Sequence, residues 1–125
     1  MTQADLNAYY ARHSKQAPAT EGCDKESELH EQIFAECRRR GWIALHGAMS
    51  ERSHRTLGEW DFTIVANRRP DEHLNRSQFA TVYFVECKKR DGKLSPEQSA
   101  MIAHAAKLGH TVHVVRSLED FLAIL

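Results

Sequence analysis

The chain has 125 residues, 42% of them hydrophobic and 27% charged, which suits one globular domain with a real core. Its 17 basic and 17 acidic side chains cancel, so an overall basic field is excluded and any nucleic-acid role must rest on local clusters. No apolar run approaches the roughly 20 residues of a membrane span, no charged-then-apolar signal opens the chain, and a cytoplasmic location is expected.

Residues 1 to 25 read as an N-terminal arm, and residues 26 to 125 as the domain proper. Leu6, Tyr9 and Tyr10 are spaced as one face of a short helix. Residues 16 to 24 are polar and contain Pro18 and Gly22, a linker signature. Two readings stand: a loosely ordered terminus, or an arm packing on a partner subunit or DNA through Tyr9, Tyr10, Arg12 and Lys15.

Ser27 to Arg40 predicts a helix. Leu29, Ile33, Phe34 and Cys37 make the apolar stripe, acidic residues crowd the start, and Arg38-Arg39-Arg40 meet the dipole at the end. Gly41 supplies the stop. Glu28 and Gln32 share a flank of this helix, where a solvated role suffices to explain them.

Trp42 to His46 predicts a short strand, and the polar loop after it carries Arg52, His54 and Arg55. Glu59 to Ala66 predicts a second strand, with Trp60, Phe62 and Ile64 on one face and Asp61, Thr63 and Val65 on the other. Asp is depleted in strands, so Asp61 is the odd member of a run that otherwise wants burial. Asn67 to Ser77 is a turn region leading antiparallel into the strand Thr81-Val82-Tyr83-Phe84-Val85. That strand runs on into Glu86-Cys87-Lys88, so a carboxylate and an ammonium leave its end on one side. Burying such a pair is costly unless a metal or an anionic substrate compensates.

Ser95-Pro96-Glu97-Gln98 then opens a helix with an N-cap, a proline at the first position and a capping box closed by Gln98. Met101, Ile102, Ala105 and Leu108 form its stripe, and Gly109 ends it. Thr111 to Val115 is a last strand, and Ser117 caps a final helix with Leu118, Phe121, Leu122 and Leu125. Cys23, Cys37 and Cys87 are odd in number and lack a Cys-x-x-Cys, which favours reduced thiols. The eight histidines form no His-x-x-x-His or His-Glu-x-x-His pattern. A zinc site from Cys23, Cys37 and histidines is the weaker alternative.

An acidic residue in one strand, with Glu-x-Lys at the end of its neighbour, is what a metal-dependent phosphodiesterase needs. Two carboxylates converge on a hard divalent ion, and a lysine contacts water or phosphate or, with a lowered pKa, acts as general base. With these residues the chain resembles the PD-(D/E)xK nuclease superfamily, and within it the VRR-NUC (virus-type replication-repair nuclease) family. The resemblance is carried by Glu28 with Gln32, Arg40-Gly41-Trp42, Gly58-Glu59-Trp60-Asp61, Glu86-Cys87-Lys88, and Gly92-Lys93-Leu94-Ser95-Pro96-Glu97-Gln98. It runs from about Ser27 to the C-terminus.

The resemblance implies an α/β fold, a restriction-endonuclease-like αβββαβ core with a mixed central sheet flanked by helices. It implies a Mg2+ (or Mn2+) site of Glu28, Asp61, Glu86 and the backbone carbonyl of Cys87. Asp61, Glu86, Lys88 and Gln98 would be the catalytic set, Lys88 its lysine. Family members usually place Pro before the strand aspartate, and here Trp60 stands there. Pro70-Asp71 lies downstream, but among Arg68, Arg69, Asn75 and Arg76 with no apolar strand around it, so Asp61 is preferred.

The implied activity is a DNA endonuclease of the structure-selective kind, cutting Holliday junctions or flaps as a homodimer, in a bacterium or phage-infected host cell. A less selective restriction-type endonuclease and a catalytically silent DNA-binding scaffold are the alternatives. Arg52, His54 and Arg55, with Lys89, Arg90 and Lys93, are candidate DNA contacts, although such charge runs serve equally as solvated faces. His54 is also a candidate for proton transfer.

Overall fold

A computed structural model describes residues 2–13, 25–47, 56–68 and 80–125. In chain order these form α1 (Gln3–His13), α2 (Lys25–Arg40), β1 (Ile43–His46), β2 (Phe62–Asn67) and β3 (Ala80–Cys87). Then come α3 (Pro96–Lys107), β4 (Val112–Val115) and α4 (Leu118–Ile124). The strands make one mixed sheet in the order β1-β2-β3-β4, antiparallel except for the parallel pair β3/β4 that α3 joins. Four helices among the described residues flank this sheet, an α/β architecture. No helix among them is long and apolar enough to cross a membrane.

The register decides which side chains share a face. Phe62 lies opposite both His46 and Val85, and Ile64 opposite both Ala44 and Tyr83. Opposed residues project to the same side, so these side chains face one way together with Cys87 and Val115. Leu29, Ile33, Phe34 and Cys37 of α2 and Phe121 of α4 fill that side, and with the strand residues they are the main core. The other face carries Thr63, Val65, Val82, Phe84, Glu86, Val112 and Val114. There Ala105 of α3 and Val112 are buried, while Leu45 (47%), Val65 (44%), Val82 (49%) and Val114 (36%) stay exposed.

The N-terminal residues expected as an arm instead form α1, docked on the body of the domain. Leu6 and Tyr10, one turn apart, are buried in the main core. The Tyr10 hydroxyl donates to the Trp42 carbonyl at 2.6 Å and accepts from the Ala44 N–H at 3.2 Å. Tyr9 donates to the Ala44 carbonyl, so both tyrosines tie α1 to β1. Thr2 and Asp5 cap the helix reciprocally, Asp5 N–H to Thr2 Oγ1 at 3.1 Å and Thr2 N–H to Asp5 Oδ2 at 2.9 Å. The expected linker, residues 16–24, and the charged turn containing Asp71 lie outside the described residues.

Helix α2 stops where Gly41 was expected to stop it. Gly41 has φ +74°, the Trp42 N–H bonds the Cys37 carbonyl at 2.9 Å, and the Gly41 N–H bonds that of Arg38 at 3.2 Å. The strand expected from Glu59 begins only at Phe62. Trp60 leaves the strand path: its ring packs on Phe84 at 4.9 Å and its Nε1–H bonds Thr63 Oγ1 at 3.0 Å. It therefore covers the face opposite Phe62 and Ile64, contrary to simple alternation from residue 60.

Candidate active site at the junction of β2, β3 and α3

Glu86 and Cys87 are the last residues of β3, and both are buried. Glu86 is 1% exposed, and two neighbours serve its Oε1: Gln98 Nε2 donates at 2.9 Å and Lys88 Nζ lies at 3.3 Å. Burial first, and then the charge of Asp61, pushes the Glu86 carboxyl up to about 7 against the pull of Lys88. A carboxyl raised by burial and by a neighbouring carboxylate marks a site that a further positive charge would stabilise.

Asp61 is 5% exposed at the bend entering β2. Its Oδ2 accepts the Cys87 N–H at 2.7 Å, which lashes the bend to the end of β3. Gly58 sets that approach. A Cβ there would stand 2.6 Å from the Glu97 carbonyl oxygen, and φ is +83°. Only glycine lets this loop lie against the first turn of α3 without displacement.

Gln98 performs both tasks that its position allows. Its Oε1 accepts the Ser95 N–H at 2.9 Å while Ser95 Oγ accepts the Gln98 N–H at 3.1 Å, closing the capping box. Its Nε2 remains for Glu86. One amide thus couples the start of α3 to the carboxylate at the end of β3.

Asp61, Glu86, Cys87, Lys88 and Gln98 are therefore brought together. The Cys87 thiol is pushed up by burial and the adjacent carboxylates, which keeps it protonated and leaves its backbone as the group facing the site chemistry. Glu28 is not brought in: it is exposed on α2. The helix turns about 100° per residue, so Glu26, His30, Ile33 and Cys37 line the side toward the sheet and Glu28 falls outside it. Glu26 is half-buried and acts electrostatically on Cys87, making it the acidic residue of α2 that faces this region.

Lys89, Arg90 and Lys93 are exposed around the turn after β3. That turn is held by a residue which sequence patterning passed over. Arg116 Nη1 donates to the carbonyls of Lys89 (2.8 Å), Arg90 (3.3 Å) and Gly92 (2.7 Å). Arg52, His54 and Arg55 lie outside the described residues.

Two further side chains went unread. His30 and His46 lie beside Asp61, and one ligand atom from each of the three falls within 4.8 Å of the others, so the group can hold a metal ion. A histidine inside the apolar stripe of α2, one turn after Glu26, was the available signal. An open cleft of about 1220 Å3 lies elsewhere, lined by Arg40, Trp42, Arg68, Tyr83, His110 and His113 among others. It touches none of the carboxylates, and its size does not outweigh the chemistry at the other end of β3.

No family model, no curated protein and no solved structure matches this chain.

Proposed function

We propose that this protein is a divalent-metal-dependent nuclease that hydrolyses DNA phosphodiester bonds, with its centre at Asp61, Glu86, Lys88 and Gln98. The observation that carries the reading is the pair of buried carboxylates, Asp61 and Glu86, faced by Lys88. The element order α2-β1-β2-β3-α3-β4 and the Gly58 approach to α3 support the resemblance to the VRR-NUC family. The donor set is hard oxygen, which fits Mg2+ or Mn2+.

A bound ion would neutralise charge on the scissile phosphate and acidify the attacking water. The chain's own residues do the positioning. Cys87 N–H fixes the orientation of Asp61, and Gln98 Nε2 fixes that of Glu86. Lys88, held at the rim beside Glu86, supplies positive charge to a phosphate oxygen as charge develops in the transition state. Lys89, Arg90 and Lys93 hold the flanking phosphates, on a turn that Arg116 keeps in shape.

Symmetric cutting of a four-way junction requires two such centres, and a homodimer acting on branched DNA is the favoured form of the activity. The test is cleavage of labelled four-way junction, 5′ flap, duplex and single strand by the intact protein and by Lys88→Ala. Each is run with Mg2+, Mn2+ or EDTA. Paired nicks in the junction, absent with EDTA and reduced at least 100-fold in Lys88→Ala, are expected, on the order of a lost transition-state charge contact. Cutting of every substrate would favour a less selective restriction-type enzyme. A folded protein that cuts nothing would leave a DNA-binding scaffold.

A further inference from the structure

Asp61 has a second neighbourhood, on the side of α2. His30 projects from the buried face of that helix and is 3% exposed. His46 ends β1 opposite Phe62, on the same side of the sheet. The two imidazoles stand 4.7 Å apart between ring centroids, and Phe62 packs against both, at 5.4 Å from His30 and 4.5 Å from His46. Phe34 closes the wall at 5.8 Å from His46.

Among the described residues, His30 Nε2 has no hydrogen-bond partner although it is sealed from water. Asp61 Oδ2 stands 3.8 Å from it, too far for a hydrogen bond. A polar nitrogen buried in that state is destabilising unless something occupies the gap. Bonds of roughly 2.0–2.2 Å to one shared ion would separate two ligand atoms by about 3–4 Å. His30 and Asp61 stand at 3.8 Å, and all three ligand atoms lie within 4.8 Å of one another.

We propose that His30, His46 and Asp61 form a distinct metal site that takes a first-row divalent transition ion of the manganese-to-zinc series in preference to magnesium. Imidazole nitrogen suits those ions, whereas magnesium seeks oxygen donors and keeps its waters. Two imidazoles and one carboxylate leave further coordination positions open, and the Cys87 N–H holds the carboxylate through Oδ2, the oxygen that also faces His30. Asp61 is the common member of this group and of the oxygen-lined centre. The assignment shares Asp61 with the nuclease reading and departs from it in the two imidazoles, which that reading does not use.

The test reads metal binding rather than cleavage. Co2+ is titrated into the full chain while its visible absorption bands are followed, with Mg2+ in excess as competitor. Bands that persist against Mg2+, weaken at least tenfold in affinity in His30→Gln and in His46→Gln, and survive in Glu86→Gln are expected. Bands lost in Glu86→Gln but kept in both histidine variants would move the ion to the oxygen centre and overturn the proposal.

Buried histidine variants can fail to fold, so the deciding measurement uses the unaltered protein. Zn2+ should shift the ring 15N resonances of His30 and His46 and leave the other histidines in place. Unmoved rings at saturating Zn2+ overturn the site even if Mg2+ supports cleavage. Shifted rings in a protein that cuts no DNA sustain the site and sink the nuclease reading alone.

Discussion

The two faces of the sheet are built on different physical terms, and they meet at Asp61. The face under α1, α2 and α4 is closed and apolar: Phe62, Ile64, Val85 and Phe121 are fully buried there. The face under α3 is thinly covered, leaves several valines exposed, and carries Glu86 and Lys88 at its edge. The first face supplies the stability that holds the second in a costly arrangement. Two carboxylates cannot stay buried side by side unless a rigid body fixes the strands that bear them.

The largest expected effect lies on the closed face. Phe62→Ala removes a fully buried ring that also walls His30 and His46, and should cost about 3–5 kcal/mol in urea unfolding. Val65→Ala, on the same strand but on the open face, should change stability by less than about 1 kcal/mol. Equal losses at the two positions would erase the distinction between the faces.

Gly58→Ala comes next. It forces a side chain onto a positive φ and against the Glu97 carbonyl, with an expected cost of roughly 2 kcal/mol. Because the loop carries Asp61, metal affinity should fall with stability; a variant as stable as the parent would show that the close approach is not needed.

The charged edge has a signature in pH. The Glu86 carboxyl is raised from 4.5 to about 7 in the folded protein. The unfolded chain therefore gives up this proton first. The stability linked to it is complete below pH 4.5 and is lost as pH rises through about 7. In metal-free protein Glu86→Gln should abolish that decline and be the more stable form above pH 7. Added divalent ion should reverse the ranking in the parent. Thermal melts from pH 4 to 8, with and without Mg2+, would read both effects, and a flat parent profile would contradict the account.

The smallest effect is at the turn after β3. Arg116→Ala removes three donor contacts to exposed carbonyls, and about 1 kcal/mol of local stability should go with them. Hydrogen exchange at Gly92, whose N–H bonds the Lys89 carbonyl at 3.0 Å, should accelerate while core amides hold. DNA affinity should weaken more at low salt than at high, with a shallower salt dependence than the parent, if the turn presents Lys89, Arg90 and Lys93 to phosphate.

The reading of α2 shows how far sequence carries and where it stops. Its apolar stripe, its basic end and its glycine stop are local patterns, and each has its counterpart in the helix. Whether Glu26 or Glu28 faces the sheet is a matter of about 200° of helical rotation, fixed only by how Leu29, Ile33 and Cys37 seat against β1 and β3. The same holds for Trp60. Alternation predicts a face for a residue inside a strand, but Trp60 lies before the strand, and its ring goes to Phe84. Tyr9 and Tyr10 read as a helix face or as contacts to a partner subunit or DNA, because their hydrogen-bond partners, the backbone of Trp42 and Ala44, lie more than 30 residues away.

The elements that rest on near neighbours were legible along the chain: the stripe of α2, the capping box of α3, the alternation of β3 that sends Glu86 and Lys88 out together. The sequence also singled out Asp61, because a carboxylate entering an apolar strand needs a reason. What surrounds that carboxylate was settled by long-range packing. The Cys87 N–H that binds it, the His30 ring 3.8 Å away and the Gln98 amide that reaches Glu86 come from elements far apart along the chain. Such contacts follow from packing, whose register and rotation depend on the summed burial of many side chains rather than on any local pattern.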